Sequence, residues 1–197
     1  KQPDPSVSAS NPGRDGFAVF QLIDVAHIRI ELFTIKRAWP SAVYIKNSQY
    51  LAFRDLDITD GTYAFYANGE QTRGISISDC RWVQNPNIWR GIRWDEIHDG
   101  KDGSGNVIKV EYRYLNDAFF GADDIIGDVE IIRNDICDCY NGVRMDVSPH
   151  NLDAPVGSFN RDVRILDNRF RYIRDNPIEP EATAVGWWIG RNRFYNC

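Results

Sequence analysis

Short runs of alternating apolar and polar residues recur along this chain at nearly fixed intervals. Val163-Arg164-Ile165-Leu166-Asp167-Asn168-Arg169-Phe170 returns as Gly186-Trp187-Trp188-Ile189-Gly190-Arg191-Asn192-Arg193-Phe194, with Phe170 and Phe194 24 residues apart. Similar phrases end at Ile35, Ile58, Trp82 and Ile136, giving successive spacings of 23, 24, 54, 34 and 24 residues. Two-residue alternation is the signature of strands. A strand–turn–strand unit of about two dozen residues buries its apolar side chains only by stacking on copies of itself. The pattern therefore predicts an all-β solenoid over 17–197, preceded by an extended leader over 1–16, where Pro, Ser, Asn and Gly cluster. The two long spacings predict insertions, at 98–106 and 147–159, or a hidden coil at 106–127.

Each phrase is followed by a second strand, predicted at Ala42–Lys46, Tyr63–Ala67, Gly91–Asp95, Gly142–Asp146 and Pro177–Glu181. Aligned, these strands give two outward columns. One reads Tyr44, Phe65, Arg93, Arg144, Glu179; the other reads Lys46, Ala67, Asp95, Asp146, Glu181. Aromatic side chains gather towards one end and charges towards the other.

Composition narrows the class. The chain has 197 residues, 43% of them hydrophobic and 13% aromatic, enough for one domain with a continuous core. A net charge of −5 argues against a nucleic-acid partner, which would favour a basic face. No apolar run reaches the length of a membrane span, so no membrane association is predicted. The four cysteines lack zinc-ribbon spacing. Cys139 and Cys197 are expected two coils apart, beyond disulfide reach, and Cys137 is expected to point outward as the most reactive thiol. Of Trp187 and Trp188, one ring is expected in the core.

The repeated V-x-I-x-x-N-x-F phrases, with Asn134, Asn168 and Asn192 in one turn column, resemble the right-handed parallel β-helix family, which includes pectate lyases, alginate lyases and epimerases, polygalacturonases and phage tailspikes. The stacked asparagines are similar to the asparagine ladder of that fold. The resemblance implies a single-stranded right-handed parallel β-helix solenoid of about six to seven coils, secreted or at the cell surface and active on a polysaccharide. Asp123-Asp124 is similar to the G-x-D-D phrase of polygalacturonases, but the other motifs of that family are missing. Ser148-Pro149-His150 only grazes the D-P-H of the epimerases. Phe194-Tyr195-Asn196-Cys197 stops in mid-coil, which predicts further coils or a partner chain over the C-terminal end.

Lyase chemistry on an acidic glycan needs a charge to neutralise the uronate carboxylate and a base for the proton beside it. Arg93 and Arg144 are candidates for the first role, His98 and His150 for the second. Tyr44, Phe65, Lys46 and Glu179 are candidate substrate contacts, and Asp95, Asp146 and Glu181 candidate ligands of a calcium ion. The expected function is a polysaccharide lyase cleaving a uronate-containing glycan by β-elimination. The alternatives are a non-catalytic glycan-binding or structural β-helix, and a glycoside hydrolase using paired carboxylates. Outward charges on a solenoid also form plain cross-coil salt bridges, and the same residues fit that reading.

Overall fold

A computed structural model of the chain describes residues 18–84 and 117–197. The leader, Arg93, Asp95, His98 and the loop over 98–106 lie outside the described residues. The strands are β1 (Ala18–Ile23), β2 (Arg29–Glu31), β3 (Thr34–Lys36), β4 (Ser41–Lys46), β5 (Gln49–Arg54), β6 (Asp57–Thr59), β7 (Tyr63–Asn68), β8 (Arg73–Ser78), β9 (Arg81–Val83), β10 (Ala118–Asp123), β11 (Gly127–Ile132), β12 (Asp135–Cys139), β13 (Asn141–Asp146), β14 (Arg161–Leu166), β15 (Arg169–Ile173), β16 (Ile178–Pro180), β17 (Trp188–Gly190) and β18 (Arg193–Tyr195). They form three parallel sheets of six strands. Sheet A runs β1-β4-β7-β10-β13-β16, sheet B β2-β5-β8-β11-β14-β17 and sheet C β3-β6-β9-β12-β15-β18. Every third strand thus meets its own kind, as a parallel β-solenoid requires.

The apolar repeat becomes the core. Ile35, Ile58, Trp82, Ile136, Phe170 and Phe194 stand in one register, paired strand to strand. Ile30, Phe53, Ile77, Ile131, Ile165 and Ile189 do the same in sheet B. Apart from Ile189 and Phe194 in the last rung, all of these side chains are buried. Trp187 packs partly against the core and donates its indole N–H to the Asn160 carbonyl at 2.6 Å, whereas Trp188 is exposed.

The corner between sheets B and C repeats one conformation. Leu32, Asp55, Asp79, Arg133, Asp167 and Arg191 all have left-handed backbones, with φ of 52° to 64°. Such a residue costs about 1 kcal/mol or more unless its surroundings hold it. Here the N–H of each of the first five reaches the next rung's carbonyl at 3.1 to 3.3 Å, so the turn is locked by the stack. The residue that follows is Phe33, Leu56 or Cys80 in the early rungs and Asn134, Asn168 or Asn192 in the later ones. The Oδ1 atoms of these three asparagines accept the N–H groups of Cys80, Asn134 and Asn168, each at 2.9 Å. Their Nδ2 groups donate to the carbonyls of Ile77, Ile131 and Ile165 at 3.0, 2.8 and 2.7 Å. The expected asparagine ladder is present.

Two expectations of register are corrected. β10, which falls in the predicted hidden coil at 106–127, does lie between β7 and β13, but it pairs directly with β7, and β11 with β8, so the strand predicted at Gly91–Asp95 adds no rung between β7 and β10. The 54-residue spacing therefore spans one rung with a long insertion. In β7 it is Tyr66, not Phe65, that aligns with Tyr44, and Phe65 aligns with Val43. A slip of one residue moves a side chain to the opposite face. Phe65 is fully buried, with its ring 5.1 Å from Phe53 and 5.4 Å from Phe119, so it is core and not a substrate contact.

All four cysteines are free. Cys137 is buried and donates to Asp138 at 3.1 Å. Burial, with Asp138 beside it, pushes its thiol up to about 12, so it is a poor nucleophile and not the reactive thiol expected.

Candidate functional site

The outer face of sheet A carries two columns. The first reads Gln21, Tyr44, Tyr66, Gly121, Arg144, Glu179 and the second Lys46, Asn68, Asp123, Asp146, with Glu181 next in line after β16. The places expected for Arg93 and Asp95 are taken by Gly121 and Asp123.

At one end the tyrosines pack on each other. Tyr44 and Tyr66 stack at 6.0 Å, and Tyr63 lies 4.7 Å from Tyr66. Glycine is needed at 121, because a Cβ there would stand 2.2 Å from the Tyr63 ring. Tyr44 and Tyr66 are only 4% and 2% exposed, so neither offers its ring face to a sugar, and the platform expected of Tyr44 is absent. What the rings present is their edges. The Tyr66 hydroxyl donates to Asp123 Oδ2 at 2.6 Å and the Tyr44 hydroxyl to Asn68 Oδ1 at 3.4 Å.

Beside these hydroxyls opens a polar groove of about 600 Å³, lined in part by Lys46, Tyr66, Asn68, Asp123, Asp124 and His150. One wall is the insertion over 147–159, which folds back across the rungs. Asp124 anchors it: its carboxylate accepts the N–H of Ser148 at 2.9 Å, the Ser148 hydroxyl, and the Asn151 amide at 3.1 Å. Asn151 also donates to Glu70 at 3.0 Å. Burial alone would raise the Asp124 carboxyl, but these hydrogen bonds outweigh it and hold the group below its ordinary value. Asp124 is thus a staple, and its pairing with Asp123 is a corner. His150, on a short 3-10 turn (Pro149–Asn151), is exposed at the groove. Lys46, expected at the far end of the columns, shares this groove with His150.

At the other end Arg144 is surrounded. Its guanidinium donates twice to Glu181 Oε2, at 3.0 and 3.2 Å, and lies 3.6 Å from Glu179 and 3.8 Å from Asp146. Burial works against its charge, but Asp117, Glu181 and Glu179 together raise its pKa. A guanidinium so engaged is not free to neutralise a substrate carboxylate, the role expected of it. Three carboxyls on one cation cannot all ionise cheaply. Burial, together with Glu181, pushes Glu179 up to about 7 and raises Asp146, while Arg144 keeps Glu181 below the usual range despite burial. The crevice beside Arg144 and Asp146 holds about 10 Å³, space for one water and not for a sugar ring. Among the described residues, no group of three or more His, Cys, Asp or Glu side chains is arranged to hold a metal ion.

This titration has a measurable consequence. Glu179 binds its proton more tightly folded than unfolded, where the ordinary value is 4.5. Its contribution is therefore present in full below 4.5 and lost as the pH rises through about 7. Replacing it by glutamine removes that loss. Glu179→Gln is expected to exceed the parent in stability by about 1 kcal/mol at pH 8 and to match it near pH 5, in urea unfolding curves. Parallel pH profiles for the two proteins would show that Glu179 does not titrate as described.

Tyr66, an aromatic candidate for sugar stacking in the sequence beside Tyr44 and Phe65, takes the outward place expected of Phe65, through the one-residue slip in β7. The bulky, outward-compatible Tyr63-Ala64-Phe65-Tyr66 run gives no local sign of which aromatic faces in. Comparison of the chain with family models, with curated proteins and with solved structures finds no match.

Proposed function

We propose that the protein is a right-handed parallel β-helix of the pectate-lyase-like kind, with six to seven coils, secreted or at the cell surface, that cleaves a uronate-containing polysaccharide by β-elimination in the groove beside Lys46. The observation that carries this reading is the placing of a cationic side chain, an imidazole and a phenol, Lys46, His150 and Tyr66, around one open polar groove. Lys46 would sit against the uronate carboxylate and make the neighbouring C–H more acidic. His150 would take that proton, imidazole being the side chain suited to proton exchange near neutral pH. As the C–H electron pair forms the new double bond, the glycosidic C–O bond breaks, and the leaving oxygen takes a proton from the Tyr66 hydroxyl. Asp123 holds that hydroxyl in place. No step runs through calcium: Asp146 and Glu181 have Arg144 as counter-charge, and Asp95 lies outside the described residues.

The test is ultraviolet absorbance of unsaturated sugar ends, with polygalacturonate, alginate and chondroitin as substrates at about pH 8. Lys46→Ala and His150→Ala are each expected to lower kcat/KM about a hundredfold with the fold intact. Absence of any absorbance rise with all three polymers would overturn the lyase reading. Binding of one of them without turnover would then mark a glycan-binding module.

A further inference from the structure

The outer face of sheet C shows a break in charge order. Its first column reads Thr34, Asp57, Arg81, Asp135, Arg169, Arg193, and the second Lys36, Thr59, Val83, Cys137, Arg171, Tyr195. Up to Asp135 the signs alternate, with Arg81 on Asp57 at 3.0 Å. Arg169 in β15 continues the alternation, which stops at β18, where Arg193 stands directly opposite Arg169. Neighbouring strands are about 4.8 Å apart, and like charges placed opposite in a sheet repel.

The acids nearby are already engaged. Both oxygens of Asp135 are taken by Arg171, at 3.1 and 2.7 Å, and both oxygens of Asp167 at the adjoining corner by Arg191, at 2.8 and 2.7 Å. Asp138, buried at the other edge, accepts the Cys137 thiol. Among the described residues no carboxylate pairs with Arg169 or Arg193, and both are exposed. Next to them Tyr195 is 48% exposed in the Arg171 column, and Tyr172 at the sheet edge is 51% exposed. Two arginines opposite one another in register, with no carboxylate partner among the described residues, favour bound anions. Exposed tyrosine rings beside them give an amphipathic surface that fits a sugar ring better than a bare ion. The overall charge of −5 sets this patch against an acidic background, unlike a nucleic-acid face.

We propose that the outer face of β15 and β18 binds an acidic polysaccharide, with Arg169 and Arg193 holding successive anionic groups and Tyr195 lying against the sugar. This surface rests on the charge and geometry of sheet C alone and is separate from the groove on sheet A.

The experiment is titration calorimetry with two probes, a polygalacturonate oligomer and a heparin oligosaccharide, at two salt concentrations. Arg169→Gln/Arg193→Gln is expected to weaken binding of at least one probe about tenfold or more and to flatten its salt dependence. The control Arg29→Gln/Arg54→Gln removes the same charge from sheet B and should change affinity less than twofold. Thermal unfolding checks that both variants are folded. Unchanged affinity in the first variant, an equal fall in the control, or equally tight binding of duplex DNA would each overturn the proposal. All titrations are made in the Lys46→Ala/His150→Ala background, which silences the groove, so that a failure of the groove reading leaves the sheet C surface separately testable.

Discussion

Asn168→Ala is expected to lower the unfolding free energy by about 4 kcal/mol, as much as a large core truncation. Asn168 is 1% exposed and is the central member of the asparagine ladder. Its Oδ1 accepts the Asn134 N–H at 2.9 Å and the Asn134 amide at 3.0 Å; its Nδ2 donates to the Ile131 carbonyl at 2.8 Å and to Asn192 Oδ1 at 3.0 Å. Alanine leaves the Asn134 N–H and the Ile131 carbonyl buried without partners. Each costs roughly 1–3 kcal/mol, and the vacated volume adds to that. Asn192→Ala, half-exposed in the last rung, should cost clearly less. Urea unfolding with an unchanged m value provides the measurement. A loss under about 1 kcal/mol for Asn168→Ala would mean that the ladder is not what holds this corner.

The second large effect belongs to Arg144. Arg144→Ala is expected to cost about 3 kcal/mol at pH 8, because it leaves Asp146, Glu179 and Glu181 without their shared cation. The figure is at the low end for a broken ion cluster, since the Arg144 side chain is 28% exposed. The pH dependence separates this loss from a packing defect. Without the guanidinium all three carboxyls bind protons more readily, so the penalty shrinks as the pH falls towards 5 and the group neutralises. A packing defect would cost the same at both values. Unfolding curves at pH 8 and pH 5 distinguish the two, and a pH-independent loss would contradict the charge account.

Much of the fold was legible because its determinants are local and repeated. Ile35, Ile58, Trp82, Ile136, Phe170 and Phe194 close six similar phrases, and the structure keeps all six in register despite the 54-residue gap. The asparagines at 134, 168 and 192 were equally readable, since the same turn recurs and makes the same demand on its side chain. Legibility failed where the rung length varies. The corner before β7 holds Asp60 and Gly61 in positive-φ conformations, and nothing in Tyr63 to Tyr66 reveals how many residues that corner consumes. Phe65 and Tyr66 were exchanged as a result. The groove was out of reach for another reason: its wall depends on Asp124 meeting Ser148 and Asn151 across the stack. The acid cluster was visible as a cluster. That Arg144 serves the chain's own carboxylates follows only from the distances.

The insertion over 147–159 leaves the stack beside sheet A, after β13. Val83 and Ala118 are far apart in sequence, yet β10 meets β7 and β12 meets β9 as consecutive rungs. The ladder counts neighbours and is indifferent to how much chain separates them. The loop after β13 can therefore be lengthened, shortened or exchanged while the hydrogen-bonded spine stays the same. Inheritance can act on the walls of the groove and on the spine separately, and new specificity can arise here without a new fold.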